Sequence, residues 1–110
     1  MMPSFPKAHI VRSESYRRFV AAQPCFGCGR EGASQCAHAN VGKGLGMKVS
    51  DLESFPLCGP RGLQMGCHQQ LDLSIELTRD ERRVLERGYV ERMQAIARAA
   101  GRPEFAKEPA

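Results

Sequence analysis

The stretch that decides the fold runs from Pro24 to Asp72 and reads PCFGCGREGASQCAHANVGKGLGMKVSDLESFPLCGPRGLQMGCHQQLD. It contains all five cysteines and two of the three histidines of the 110-residue chain. Cysteine and histidine are the side chains that bind zinc, and two thiols with two residues between them can reach one tetrahedral ion. The crowding therefore predicts a structural zinc site that holds a small domain together.

The spacing favours one set of four ligands. Cys25 and Cys28 form the first pair, in a turn where Gly27 and Gly29 permit the positive φ values that let amides point at sulfur. Cys58 and Cys67 are the best second pair, because Cys58 ends a predicted strand and Cys67 opens a predicted helix. Cys36 or His68 could replace one of them. Reduced thiols without a metal, or a redox role, are the alternative interpretations.

Composition predicts one domain with a small core. Only 42% of the residues are hydrophobic and there is no Trp, and a bound metal is a common way to stabilise so small a core. Met1 to Ile10 contains two prolines, a lysine and a histidine, unlike a secretory signal, and no apolar run of membrane-spanning length follows. A reducing, cytoplasmic compartment and no membrane partner are the expectations.

The charge distribution favours a phosphate-backbone partner. The net charge is +4, and residues 1–30 have five basic side chains against one acidic. Residues 79–102 have seven arginines against four acidic side chains. Two basic flanks suit a partner with a phosphate backbone, and a solvated helix surface is the alternative interpretation. The side chains predicted to bind such a partner are Arg17, Arg18, Lys43 and Lys48. The Gly-rich run around Lys43 lacks the P-loop pattern, so nucleotide binding is not predicted.

Periodicity and breakers predict an α+β chain organised as a single domain over 1–110. An arm covers 1–12, a zinc-bound core 13–77, a C-terminal helix 78–101 and a tail 102–110. The core has a helix over 13–22 that Ser13 or Ser15 can cap, strands over 34–39 and 53–57, and a helix over 67–77 that turns Leu71, Ile75 and Leu77 inward. The C-terminal helix begins with a Thr78-x-x-Glu81 capping box. Its predicted apolar stripe is Leu85, Tyr89, Met93, Ile96 and Ala100.

Two histidines are candidates for chemistry. His38 follows a predicted strand and precedes the glycine-rich loop, a position that suits an imidazole facing a cleft and taking a proton from water. His68 and Asp72 are four residues apart on a predicted helix, so both side chains share a face and could hold part of a divalent ion's shell. A hydrogen-bonded structural histidine and a helix-capping aspartate are the competing interpretations.

These motifs, in this order, resemble a known family. The pattern Pro-Cys-x2-Cys-Gly, Ala-His, Gly-x-Gly-x-Lys-x2-Asp, Pro-Leu-Cys and Cys-His-x3-Asp is similar to small phage and prophage HNH-type nucleases, such as the Ref-like recombination nucleases and YbcO-type prophage nucleases. The resemblance covers about Ser13 to Asp72. Ala37 stands where many HNH enzymes have a metal-binding Asp or His, and Asp72 stands where many have a second His.

The resemblance implies a ββα-metal core (the His-Me finger) and a metal-dependent DNA endonuclease that acts in phage recombination or DNA processing. His38 would be the general base and His68 a ligand of a catalytic Mg²⁺, Mn²⁺ or Zn²⁺, with Asp72, Asp51 and Lys48 as supporting or metal-binding side chains. Cys25, Cys28, Cys58 and Cys67 would hold the structural Zn²⁺. DNA is the implied substrate and a recombinase filament a further partner. The alternative is a zinc-stabilised DNA-binding or protein-binding module without cleavage.

Overall fold

A computed structural model describes residues 10–39 and 49–105. The elements follow in the order α1 (Glu14–Ala21), β1 (Ser34–His38), β2 (Ser54–Cys58), α2 (Cys67–Leu73) and α3 (Arg79–Ala99). A short 3-10 turn, Pro103–Phe105, comes last. The predicted α+β class is confirmed. No helix in these two ranges is long and apolar enough to cross a bilayer.

The first helix begins where the sequence places its cap. The Ser13 side chain accepts a hydrogen bond from the Tyr16 N–H at 3.1 Å, which satisfies one of the free donors of the first turn. Tyr16 and Val20 are buried on one face. The helix ends at Ala21, just before Gln23 and Pro24, as expected for the residues that precede a proline.

The two strands form an antiparallel hairpin in which Ser34 pairs with Cys58 and His38 pairs with Ser54. Every residue of β2 is buried. The reason is that all three helices contact this strand. A strand that is covered on both faces need not alternate apolar and polar residues, and Phe55, Pro56 and Leu57 form a continuous apolar run.

The second helix is shorter than predicted. It ends at Leu73, because Ser74 adopts an extended conformation with ψ 128°. Leu71 is buried and Leu77 packs partly against the core, as expected. The expectation that Ile75 turns inward is wrong, since its side chain is 97% exposed.

The last long helix begins at the predicted capping box: Thr78 accepts from the Glu81 N–H at 3.0 Å and Glu81 accepts from the Thr78 N–H at 2.8 Å. Of the predicted apolar stripe, only Met93 lies on the fully buried face. Leu85 and Ala100 are exposed, and the buried face consists of Glu86, Val90, Met93 and Ala97. Tyr89 and Ile96 flank this face. The buried face could not be predicted from apolar residues alone, because one of its members, Glu86, is charged.

The chain after α3 is not a simple tail. Gly101 has φ +74°, the left-handed conformation that ends many helices. Phe105 is buried and lies edge-on to Tyr16, with ring centroids 6.0 Å apart. Glu104 accepts a hydrogen bond from Ser13 Oγ at 2.7 Å. The frayed tail predicted from residue 102 therefore does not describe residues 102–105, and residues 106–110 lie outside the described part.

Candidate metal centre and candidate active site

Four cysteines meet at one point between the first turn, β2 and α2. The sulfur atoms of Cys25, Cys28, Cys58 and Cys67 all lie within 4.8 Å of one another. In a tetrahedral zinc site with Zn–S bonds of about 2.3 Å the sulfurs are about 3.8 Å apart. The Cys28 and Cys58 sulfurs are 3.8 Å apart, so the cluster has the dimensions that zinc requires. No disulfide links these thiols.

Backbone amides surround the cluster as they do in zinc knuckles. The Gly27 and Cys28 N–H groups donate to Cys25 Sγ at 3.2 and 3.4 Å, and the Cys67 N–H donates to Cys58 Sγ at 3.4 Å. Gly29 has φ +81°, as the sequence predicted, but Gly27 does not have a positive φ. Gly27 is needed for a different reason: a Cβ there would lie 2.8 Å from Cys67 Sγ.

The thiols differ strongly in acidity when no cation is present. Burial raises the pKa of Cys25, but hydrogen bonds from the N–H groups of Cys58, Cys28 and Gly27 outweigh it and lower this pKa to about 6. Burial and the neighbouring thiols raise the pKa of Cys67 well above its ordinary value. Four thiolates at this spacing repel one another, so full ionisation needs a cation among them. The donor set fits zinc.

The two substitutes that the sequence left open are not part of this cluster. Cys36 projects from β1 near Ser54, Arg17 and Asp51, and burial raises the pKa of its thiol. His68 is next to Cys67 in sequence, but its ring bonds to Gln35. Among residues 10–39 and 49–105, the four cysteines are the one group of three or more His, Cys, Asp or Glu side chains placed to share a metal ion.

The second candidate centre is the pair His38 and Asp51. His38 ends β1, and its Nε2 lies 2.9 Å from Asp51 Oδ1. About a third of the His38 side chain is exposed, whereas only 3% of the Asp51 side chain is. Since an ionised carboxylate only accepts hydrogen bonds, Nε2 carries the proton and Nδ1 keeps its lone pair. The carboxylate thus selects the tautomer that leaves Nδ1 basic.

Asp51 is held ionised by several donors. The Ser13 N–H donates to Asp51 Oδ2 at 2.7 Å and the Arg17 guanidinium reaches the same oxygen at 2.5 Å. The Arg12 guanidinium lies 3.8 Å from Oδ1. Burial by itself would raise the pKa of Asp51, but the hydrogen bonds from His38, Ser13 and Arg17, together with the charge of Arg17, lower it below its ordinary value. A buried carboxylate that stays charged is a rigid acceptor for His38.

The predicted metal-binding pair on α2 is looser. His68 Nδ1 lies 2.9 Å from Gln35 Oε1, and His68 Nε2 lies 3.7 Å from Asp72 Oδ2. The Asp72 side chain is 66% exposed. The hydrogen bond to Gln35, rather than a third metal ligand, sets the orientation of the His68 ring. An imidazole and one flexible carboxylate are two ligands of a shell that a divalent ion needs at least four groups to fill.

The β1–β2 pair of strands separates His38 from His68. Alternate residues of a strand point to opposite faces, so Gln35 and His38, three residues apart on β1, face opposite ways. His38 turns toward Asp51 and Arg17 of α1, whereas Gln35 turns toward His68 of α2. The structure therefore brings His38 together with Asp51 but does not bring His38 together with His68.

The predicted DNA contacts divide in two. Lys43 and Lys48 lie outside the described residues. Arg17 is used inside the fold by Asp51, and Arg18 pairs with Glu14 at 2.6 Å on the exposed face of α1.

Two site residues were missed from the sequence. Ser13 was noted only as a cap, and Gln35 was not singled out. Each acts on a partner more than 30 residues away, and no spacing rule in the sequence carries that signal.

The fold and the cluster define a small α+β protein with a four-cysteine site of a kind that holds a structural metal such as zinc. A family model described as "Protein of unknown function (DUF968)" matches residues 2–93, which is most of the chain, so the chain belongs to that family. No curated protein and no solved structure matches the chain.

Proposed function

We propose that this protein is a metal-dependent DNA endonuclease of the HNH type, with the four-cysteine zinc site as its structural centre. The observation that carries the proposal is the His38–Asp51 pair, in which a partly exposed imidazole bonds at 2.9 Å to a buried, charged carboxylate. A structural zinc module has no need of this arrangement. The order β1, β2, α2 supports the ββα-metal assignment that the sequence motifs suggested.

The pair can do the first half of phosphodiester hydrolysis. Nδ1 of His38 takes a proton from water while the water oxygen forms a bond to phosphorus and the bond from phosphorus to the leaving 3′ oxygen breaks. The resulting imidazolium is stabilised by Asp51, which Arg17 and the Ser13 N–H keep ionised. A divalent ion would have to neutralise charge at the scissile phosphate. His68 and Asp72 lie on the other side of β1 from His38, so they would not hold that ion beside the phosphate that His38 serves.

One observation favours the second candidate, a zinc-stabilised binding module without cleavage. Ala37 offers no ligand and is buried, and in the described residues no third carboxylate, imidazole or thiol joins His68 and Asp72. A catalytic ion at this place would depend on the substrate phosphate for several of its ligands, as many Mg²⁺ sites do.

Plasmid nicking with Mg²⁺ or Mn²⁺ separates the two functions. The wild-type protein, with single-stranded, duplex and branched DNA offered in turn, is expected to cleave at least one form. His38→Ala should abolish cleavage while zinc content and DNA binding stay unchanged, because His38 is outside the cysteine cluster. His68→Ala should cleave like wild type, because its ring contacts Gln35 and lies on the other side of β1 from His38; a loss of cleavage that excess Mn²⁺ restores would instead assign the ion to His68. Equal nicking by His38→Ala and wild type at saturating metal would remove His38 as the base, and no nicking by folded wild type would favour the binding module.

A further inference from the structure

The loop between Cys58 and Cys67 forms a small hairpin with an apolar tip. The Arg61 N–H donates to the Gln64 carbonyl and the Gln64 N–H donates to the Arg61 carbonyl, both at 2.9 Å. The two residues between them are Gly62, with φ +57°, and Leu63. A positive φ at only the first of two turn residues is the pattern of a type II′ turn. The turn fixes the Leu63 side chain at the tip, where it is fully exposed.

The base of this hairpin is rigid. Both ends are zinc-site cysteines, and the backbones cross closely at Gly59 and Gly66, where a Cβ on Gly66 would lie 2.2 Å from the Gly59 carbonyl oxygen. Such a short, anchored loop holds Leu63 and the half-exposed Met65 out in solvent with no core to receive them. An isolated exposed leucine is common, but one placed at the tip of a fixed turn needs little reordering before a partner meets it.

Two arginines without a carboxylate partner among the described residues lie beside the tip. A cavity of about 370 Å³ next to the hairpin is lined by Arg30, Arg61, Gln64 and Gln70 together with three of the cysteines. Neither arginine pairs with a carboxylate within residues 10–39 and 49–105, unlike Arg17, Arg18, Arg87 and Arg102. Zinc on four thiolates is an anionic centre, and two arginines offset that charge so that a phosphate is not repelled.

We propose that residues 58–67 form a DNA-distorting hairpin: Leu63 inserts between stacked bases while Arg30 and Arg61 hold a flanking phosphate. The inference rests on the proposed DNA-directed function but not on cleavage. Apolar side chains that unstack a base step, with basic side chains on the adjacent backbone, are a recognised way of bending duplex DNA. The base of the hairpin, at Cys58, pairs with Ser34 at the start of β1, whereas His38 is at its end, so the distorted step is expected away from the site of cleavage.

The test uses the full-length, zinc-loaded chain without added divalent ion and a duplex with several 2-aminopurines spaced along one strand. Unstacking raises the fluorescence of this base. Wild type should raise it, Leu63→Met should keep the rise, and Leu63→Ala should remove it while zinc content stays the same. Ile75→Ala is the matched control, since Ile75 is equally exposed but next to Glu76, and it should behave as wild type. Arg61→Ala should lower the salt slope of binding by about one.

The outcomes separate this inference from the nuclease proposal. A fluorescence rise that depends on Leu63 supports the hairpin even if no DNA is ever cut. Cleavage by wild type with the same fluorescence rise in Leu63→Ala overturns the hairpin and leaves the nuclease intact. Loss of zinc from Arg61→Ala with an unchanged salt slope overturns the phosphate contact, since the arginine would then serve the thiolates alone. No binding of DNA by folded wild type overturns both proposals.

Discussion

Asp51 is the side chain on which the candidate active site depends. It receives donors from α1, from the segment before α1 and from β1, so it ties the position of His38 to the packing of α1. A histidine fixed in this way pays less ordering entropy on reaching a reactive geometry than a free surface histidine does.

Asp51→Asn should therefore remove the negative charge beside His38 with little change in the shape of the side chain. The amide has the same size but can no longer select the His38 tautomer or stabilise the imidazolium. Cleavage at saturating metal is expected to fall by about 10²–10⁴-fold, the usual contribution of a general base. Glu53→Gln is the matched control, because it also removes a carboxylate paired with an arginine, Arg87, at 2.7 Å but does not touch His38. Equal losses in both variants would show that lost stability, and not lost orientation, is the cause.

Asp51 should also leave a signature in acid. Because its pKa is lowered by folding, its charge stabilises the fold above the ordinary aspartate range, and this contribution is lost as pH falls through the folded pKa, below about pH 4. The stability difference between wild type and Asp51→Asn should be constant from pH 7 to 5 and shrink below that. Urea unfolding at a series of pH values, with zinc in excess, measures it. A difference that grew in acid would mean that Asp51 is not the ionised partner.

The sequence predicted single residues well where the chemistry is local. Cys25, Cys28, Cys58 and Cys67 could be chosen because clustered thiols commonly hold a metal ion and their spacing limits the choice. It did not predict that Asp51 would bond to His38, because a pair 13 residues apart is joined by the return of β2 along β1 and not by any periodicity.

At the scale of elements, the metal site joins the turn before β1, the end of β2 and the start of α2. Cys58→Ser should release zinc and unfold much of this region, because binding and folding are coupled in such sites. Cys36→Ser is the internal control: this thiol projects from β1 toward Ser54 and Arg17, and the variant should keep its zinc. Elemental analysis and circular dichroism measure both. Zinc lost from Cys36→Ser but kept by Cys67→Ser would contradict the assignment.

The corrected face of α3 gives a second element-scale prediction. Met93 is completely buried whereas Val84 is exposed. Met93→Ala should reduce the free energy of unfolding by about 2–5 kcal/mol through the cavity it leaves. Val84→Ala should change it by no more than about 0.5 kcal/mol. Denaturant unfolding of the two variants measures both changes, and similar losses in both would contradict the burial of Met93 on the core face of α3.

Helices with a clear cap were predicted to within two residues, because Ser13 and Thr78 act on their own first turn. The buried face of α3 was harder to predict, since Leu85 and Val90 are both apolar. Packing against the β1–β2 pair decides which of the two is buried. The early end of α2 at Leu73 likewise depends on how Leu71 meets the core.

For the whole molecule, the arginines of the basic flanks divide into those that hold the fold together, such as Arg17, and those that stay exposed, such as Arg18. Arg18→Ala should lower the salt slope of DNA binding by about one and leave stability nearly unchanged, since its exposed pair with Glu14 contributes little. Arg17→Ala should instead destabilise the fold, because it removes the main countercharge of the buried Asp51. Filter binding at several salt concentrations, alongside thermal unfolding, compares them. A purely DNA-binding loss in Arg17→Ala would mean that Asp51 tolerates losing it.

The hydrogen bond between Ser13 and Glu104 has a consequence for the order in which the protein assembles during its synthesis. Ser13 donates its N–H to Asp51 and its hydroxyl to Glu104, and Arg102 also holds Glu104 and Ser15. On the ribosome, the segment that includes Glu104 is synthesised some 90 residues after Ser13. A nascent chain can therefore load zinc once Cys67 has emerged, yet it completes the surroundings of His38 only after residues 102–105 have left the exit tunnel. A partly synthesised chain would be metal-bound before its candidate active site is fully assembled.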